Sequence, residues 1–252
     1  MTPARLEITA LEDFPLVAPG DDLARLILEH APGDGFKDGD IIVIAQKVVS
    51  KAEDRYRELA TVSPSTDAEE LAVKTDKDPR LVELILQEST EIARHRPGVI
   101  IAVHRLGYVL ANAGIDASNV DREGEHVLLL PEDPDKTCAD LQAKLSEATD
   151  ARLAVIMNDS LGRAWRHGTA SVALGAAGLP ALLDMRQQPD LHGRPLRVSL
   201  VGLADELACA ASLVQGQGDE GRPVALVRGF DPFDRELPAT GLIRPRSEDL
   251  FR

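Results

Sequence analysis

The amino-acid sequence predicts a mixed α/β (α+β) protein. Short apolar runs of strand length alternate with helical periodicities from one end of the chain to the other. Several of those runs lack polar alternation, as strands covered on both faces do. With 252 residues there is room for one large domain or two interlocked lobes, and too little chain for three independent domains.

The predicted strands are 41–45, 99–103, 127–130, 153–157, 196–203 and 224–227. A first helix is expected behind Asp21 and Asp22, where Leu23, Leu26, Ile27 and Ala31 repeat at helical spacing with acids in the first turn. Asp78-Pro79 opens a second, because proline lacks the N–H that the first helical position does not use. Its apolar side is Leu81, Leu84, Ile85 and Ile92. Residues 136–148 and the Ala-rich 204–215 are two more helical segments, the latter suited to close packing. A break falls near 131–135, where prolines interrupt the pattern. Residues 1–230 are expected to form the functional domain. From Asp231 periodicity is lost, so 231–252 is expected to be a tail lying on the surface or on a partner subunit.

Composition narrows the function classes. The formal charge of -14 repels nucleic-acid backbones and anionic lipid heads at long range, and aromatic residues at 3% leave little for stacking bases. No run reaches the roughly 18 apolar residues of a membrane span, and the first residues carry acids, so no membrane partner and a cytoplasmic location are expected. Cys138 and Cys209 lie far apart, outside any C-x-x-C pair, and read as packing residues. The histidines show no zinc-ligand spacing, and neither a Walker loop nor a dinucleotide or hydrolase-elbow motif occurs.

Chemistry-bearing residues cluster behind the apolar runs. Gln46-Lys47-Val48-Val49-Ser50-Lys51 follows 41–45, and ligands in α/β proteins gather outside the carboxyl ends of strands. Its two lysines and Ser50 can meet phosphate oxygens, or Lys47 and Lys51 sit one turn apart on a solvated helix start. Asn112-Ala113-Gly114-Ile115-Asp116-Ala117-Ser118-Asn119 follows the strand-like 108–111. It offers the oxygen ligands that hard cations want, or an Asx turn that satisfies its own backbone. The segment 158–168 follows 153–157 and is expected to be an exposed loop. Asp159 and Ser160 in it can hold a metal that bridges phosphates, and Arg163 and Arg166 can neutralise charge gained in phosphoryl transfer. Trp165, between the arginines, could plug a gap under that loop. Asp205 and Glu206 are placed to favour the dipole of the Ala-rich helix. The Gly-rich 215–221 ends that helix and could approach a nucleotide or substrate closely.

Taken in order, VVSKAEDR, NAGIDASNV, NDSLGRAWRHG, DLHGRPL, ADELACAASLVQGQ and PVALVRG resemble the CofE family, the coenzyme F420-0:L-glutamate ligases, from Phe14 to about Gly229. NAGIDASN with the D-[ST]-x-G-R segment is the specific combination. The resemblance implies a two-lobed homodimer and a reaction in which GTP activates the carboxylate on the lactyl-phosphate arm of F420-0 for attack by the amine of L-glutamate. A further glutamate is joined through its γ-carboxylate. It implies Mg²⁺ or Mn²⁺, with K⁺.

Carried over by resemblance, Asp116 and Asp159 match metal-binding carboxylates, and Ser160 a hydroxyl beside the metal. Lys51 and Asn119 match nucleotide contacts, and Phe14-Pro15-Leu16-Val17 an L-P-L-I segment near the guanine nucleotide. Gln46-Lys47 replaces a Ser-Thr pair of archaeal-type members near the nucleotide. Gln217 replaces a Glu there, which removes a carboxylate from one metal site. Arg163 and Arg166 are candidates to bind the acyl phosphate or the incoming glutamate carboxylates, and Lys51 to supply charge to the phosphates. The alternatives are a ligase of the same fold acting on another carboxylate, or a GTP-binding regulatory protein.

Overall fold

The computed structural model describes residues 4–117, 120 and 125–250. The chain begins with β1 (Glu7–Ala10), forms α1 (Leu23–Glu29), crosses the centre as β2 (Ile41–Ala45) and passes directly into α2 (Gln46–Ala52). Then come β3 (Tyr56–Glu58), α3 (Thr66–Thr75), α4 (Pro79–Gln87), β4 (Ser89–Arg96), β5 (Val99–His104), β6 (Val109–Ala111) and β7 (His126–Leu128). α5 (Pro134–Thr149) leads back to the centre through β8 (Ala154–Arg163), which folds over into β9 (Arg166–Ala177). The short β10 (Leu183–Asp184) and β11 (Leu200–Val201) flank a long connection, before α6 (Leu203–Gln215) and β12 (Val224–Arg228).

Among the described residues the central sheet has the order β1-β12-β2-β8-β9, with β2 and β8 parallel and the other pairs antiparallel. It therefore takes strands from both sides of residues 131–135. β2 shows why its sequence lacks polar alternation. Ile42 and Ile44 pack on one side with Leu26 and Ile27 of α1 and Leu141 and Leu145 of α5. Ile41 and Val43 pack on the other with Leu203, Ala204, Leu207, Ala208 and Ala211 of α6. Both faces are covered, as a mixed α/β layer architecture requires. At Gly175 of β9 an added Cβ would lie 2.3 Å from the carbonyl oxygen of Pro134, so only glycine lets α5 start this close to the sheet.

A smaller sheet, β4-β5-β6, packs with α3 and α4 through Ala68, Ala72, Val82, Ile85, Ile100 and Ala102. α4 begins where the Asp-Pro pair predicts, with the Asp78 carboxylate accepting from Arg80 N at 2.8 Å. At α1 the acids act one step earlier than predicted. Asp22 is the N-cap and accepts from Ala24 N at 3.1 Å, so the acid caps the helix instead of lying in its first turn. Among the described residues after Gly229, several contacts are made within the chain. Phe230 and Phe233 pack against the α6 side of the central sheet, and Asp135 holds Ala239 N at 2.8 Å and Thr240 N at 3.1 Å.

Three expectations are corrected. The strand over 196–203 shrinks to β11, and Leu203 already belongs to α6. Its alternation needs a face to bury, yet Val198 is 86% exposed, and Gly202 ends the extended run as the N-cap of α6. Residues 158–168 are not a loop but the turn and adjoining strand stretches of a β-hairpin, with Arg163 paired to Arg166 across Ala164-Trp165. The mixed polarity of this segment reflects exposure of the outer hairpin, not loss of extended structure. Trp165 fills no gap: it sits at the turn with φ 59° and is 81% exposed. No helix among the described residues is long and apolar enough to cross a membrane.

Candidate functional site

β2 and β8 run parallel with Ala45 beside Asn158, so the carboxyl end of β2 and the middle of the longer β8 open on the same space. A cavity of about 780 Å³ lies there. Four stretches supply its walls: Phe14, Pro15, Leu16 and Val17 before α1; Gln46, Lys47 and Lys51 of α2; Asn158, Asp159 and Ser160 of β8; and 215–223 after α6. Asp116 reaches it from the turn after β6.

The turn that delivers Asp116 is tightly set. Asn112 and Ala113 both have positive φ, at 51° and 54°. The backbone of Asp116 then exchanges both hydrogen bonds with Leu128 of β7, at 2.9 and 2.8 Å. Its carboxylate points at α2. Asp116 Oδ2 accepts from Gln46 Nε2 at 3.1 Å and lies 3.3 Å from Lys47 Nζ. The amide of Gln46 is held in turn by Ser50, whose fully buried hydroxyl donates to Gln46 Oε1 at 2.9 Å.

Asp159 and Ser160 owe their orientation to an irregularity in the hairpin. The β8–β9 register shifts between Met157 and Asn158, which leaves Leu174 as an extra residue on β9. Such a bulge re-aims the side chains beside it, and its backbone is held by outside partners. The Tyr108 hydroxyl donates to the carbonyl of Leu174, and Asp205 accepts from Ala173 N at 2.9 Å. Asp205 thus satisfies the bulge from the first turn of α6, a task its sequence position did not reveal.

Asp159 Oδ1 accepts from its neighbour Ser160 N at 2.8 Å. Burial, seconded by the negative charge of Asp116, pushes its carboxyl up to about 7, against the opposing pull of the Ser160 amide and of Lys47. Lys51 is pushed the other way, below the ordinary lysine range, by burial and by Lys47, with Asp116 opposing. Two carboxylates that feel each other beside a serine hydroxyl make a donor set suited to a hard cation. Asp116, Asp159 and Ser160 would hold it. No cluster of three or more His, Cys, Asp or Glu occurs among the described residues, so hydroxyls, water or nucleotide oxygens would complete its coordination.

Behind this surface Asn158 and Gln215 form a buried amide pair, Nδ2 to Oε1 at 2.8 Å. Gln215 Nε2 donates onward to the carbonyls of Val43 at 3.2 Å and Pro223 at 3.0 Å. The pair ties together β2, β8, α6 and the loop before β12. That loop folds on itself, with Glu220 accepting from Gly218 N at 2.8 Å. Gly216 has φ 78°, and a Cβ there would fall 2.2 Å from Glu220 Cδ.

The cavity therefore collects Phe14, Pro15, Leu16, Val17, Gln46, Lys47, Lys51, Asp116, Asp159, Ser160 and Gln217. It leaves out Arg163 and Arg166, which are exposed at the far end of the hairpin, where Arg163 Nη2 donates to the carbonyl of His167 at 3.2 Å. Asn119 lies outside the described residues. Thr169, Ser171 and Arg222 also line the cavity and were not singled out in the sequence. The first two come into view only once β9 is registered against β8. Arg222 stands two residues after the acids of the Gly-rich segment, where a basic residue closing a possible nucleotide loop was the available signal.

Fold and site together define an α/β protein with a cavity at strand ends whose lining includes Lys47, Lys51, Asp116, Asp159 and the hydroxyl of Ser160. The profile of the F420-0:Gamma-glutamyl ligase family matches residues 13–229. The chain is 46% identical over 252 residues to the coenzyme F420:L-glutamate ligase of Methanothermobacter thermautotrophicus, covering 98% of this chain and 99% of that one. It is 45% identical over 249 residues to that of Methanopyrus kandleri, covering 96% and 97%. It is 40% identical over 253 residues to that of Haloarcula marismortui, covering 98% and 96%. The chain belongs to the F420-0:gamma-glutamyl ligase family.

Proposed function

We propose that the protein ligates L-glutamate to the lactyl-phosphate carboxylate of coenzyme F420-0 with hydrolysis of GTP, through an acyl phosphate. The observation that carries this reading is the meeting of Asp116, Asp159, Lys47 and Lys51 in one cavity. Two lysines and two carboxylates at the ends of the central strands match what anionic phosphates and a cation need at contact distance. A carboxylate oxygen of F420-0 attacks the terminal phosphorus of GTP, and GDP leaves. The glutamate amine then attacks the acyl carbon, loses its proton and expels phosphate, so an amide replaces the anhydride bond. A γ-carboxylate already added can enter the same sequence.

A divalent Mg²⁺ or Mn²⁺ ion, when bound, offsets charge on the phosphate oxygens. The chain's own groups do the placing. Asp116, Asp159 and Ser160 fix the position of positive charge, Lys51 adds a fixed ammonium, and the 215–223 loop brings its backbone and Gln217 to the nucleotide. Phe14 to Val17 form the apolar wall for the base. The reading extends to K⁺ as a second cation, to Asn119 as a nucleotide contact and to a homodimer. In such a dimer Arg163 and Arg166, remote from the cavity of their own chain, would meet substrate carboxylates or acyl phosphate from a second copy.

The test is phosphate release from GTP with Mn²⁺ or Mg²⁺, with and without F420-0 and L-glutamate, alongside mass analysis of the product. Release that needs both substrates, with a product heavier by one or more glutamyl units, is expected. GTP binding without turnover on these substrates would reject the reading.

A further inference from the structure

Lys47 Nζ pairs with Asp116 Oδ2 at 3.3 Å, and the same carboxylate oxygen also takes the Gln46 amide. A cation ligand site that already holds an ammonium poses a problem: a divalent ion approaching Asp116 must either displace that ammonium or endure its repulsion. The geometry of α2 offers the solution. Lys47 lies in its first turn, the side chain is about a quarter exposed, and its long stem can swing the amine without moving the helix. Gln46 is fully buried and braced by Ser50, so it cannot follow. One contact to Oδ2 is fixed and the other is movable.

We infer that Lys47 is an exchangeable, tethered counter-ion of Asp116, which yields the carboxylate to the divalent cation and turns its ammonium to the nucleotide phosphates. The inference rests on the functional reading above and assigns Lys47 a role in the order of binding. Without metal, Lys47 keeps Asp116 neutralised and in place, so the carboxylate is held while charge for the phosphates is withheld. Arrival of the cation replaces one positive charge on Asp116 by two and releases the ammonium, so the cavity becomes strongly attractive to phosphate in one step. Metal and nucleotide then favour each other's binding, by the reciprocity that any such coupling obeys. A static ion pair would give a different result, because removing Lys47 would then loosen Asp116 and weaken the metal site.

The experiment is titration of the full-length protein with Mn²⁺ alone, read by the electron paramagnetic resonance of unbound Mn²⁺. Wild type is compared with Lys47→Gln, Lys47→Met and Lys47→Arg, and the titration is repeated with a non-hydrolysable GTP analogue. Both uncharged variants should bind Mn²⁺ at least about fivefold tighter than wild type in the absence of nucleotide, the effect of removing a competing charge at contact distance in partly solvated surroundings. Lys47→Arg keeps the competition and should stay near wild type. The analogue should tighten Mn²⁺ binding more in wild type than in Lys47→Gln. Equal or weaker Mn²⁺ binding by the folded uncharged variants overturns the inference and leaves the ligase reading standing. Failure of wild type itself to bind Mn²⁺ with or without the analogue removes the metal from that reading and the inference with it.

Discussion

At the scale of the residue, Asp159 concentrates the conflict between stability and function. Its carboxyl is pushed up to about 7 by burial and by the charge of Asp116, so the folded protein binds this proton more tightly than the unfolded chain does. The contribution to stability is therefore fully present below about pH 4 and is lost as pH rises through about 7. Asp159→Asn cannot ionise and escapes the loss. In chelator, thermal melts should show Asp159→Asn above wild type at pH 8, with the difference shrinking steadily as pH is lowered to about 4. Ligation by the same variant should fall at least about 100-fold, since the proposed mechanism uses this carboxylate to place positive charge on the phosphates. A variant that melts like wild type at both pH values would refute the burial argument, and one that ligates at full rate would remove Asp159 from the site. Asp159, Ser160, Lys51 and Asp116 were legible in the sequence because each follows an apolar run, and strand ends are where ligands gather. The bracing by Ser50 was not, since a serine four residues after Gln46 has meaning only once both lie on one buried helix face.

At the scale of the element, what holds the site is the join between the ends of β2, β8 and α6. Gln215 gives its oxygen to Asn158 and its amide hydrogens to Val43 and Pro223. Gln215→Leu keeps the volume and removes all three bonds, although Asn158 Nδ2 still reaches the carbonyl of Ala208 at 3.3 Å and the carbonyl of Pro223 still accepts from Ala45 N at 2.8 Å. Each buried hydrogen bond lost costs roughly 0.5–1.5 kcal/mol, so a loss of about 2–4 kcal/mol and a fall in Tm on the order of 5–15 °C are expected. Gly216→Ala strains the adjacent loop, where φ is 78° and the new Cβ would strike Glu220. Because this loop sits at the cavity and outside the core, the variant should lose nucleotide affinity, by about tenfold or more in calorimetry, with Tm lowered only by a few degrees. If instead its Tm falls as far as that of Gln215→Leu, the loop is part of the structural join and not an independent ligand wall. The apolar runs 41–45, 153–157 and 224–227 announced the central sheet because both their faces are covered. α3 escaped notice because its buried side is only Ala68, Ala72 and Thr75, too small to print a helical stripe. The outer hairpin escaped because exposed strands need no apolar alternation.

At the scale of the whole molecule, the smaller sheet is tied to the central one by a buried charge cluster that no sequence pattern marks, since its members come from four separate stretches. Glu88, the C-cap of α4, presents Oε2 to His104 Nε2 at 3.3 Å, Arg55 Nη2 at 3.3 Å and Arg105 Nε at 3.2 Å. Arg55 continues to the carbonyl of Leu130 at 2.8 Å and to Glu132 at 2.7 Å, reaching the chain that leads into α5. His104 is fully buried, and its Nδ1 accepts from Leu106 N at 3.0 Å, so a proton sits on Nε2 facing Glu88. Burial alone would raise the Glu88 carboxyl. The contact with His104 and the charges of Arg105 and Arg55 outweigh it and bring the group down to about 2. A carboxyl lowered on folding contributes stability that is present above its unfolded value near 4.5 and is lost as pH falls through about 2, worth on the order of 3 kcal/mol at neutral pH. Glu88→Gln should thus be less stable than wild type at pH 7 by about 2–4 kcal/mol, with Arg55 and Arg105 left to the exposed carboxylate of Glu132 alone. The gap should narrow in urea denaturation as pH is lowered from 4.5 towards 2.5, because wild type sheds there what the variant has already lost. Parallel stability curves over that range would mean that the cluster binds the two sheets by packing alone and that its charges carry none of the load.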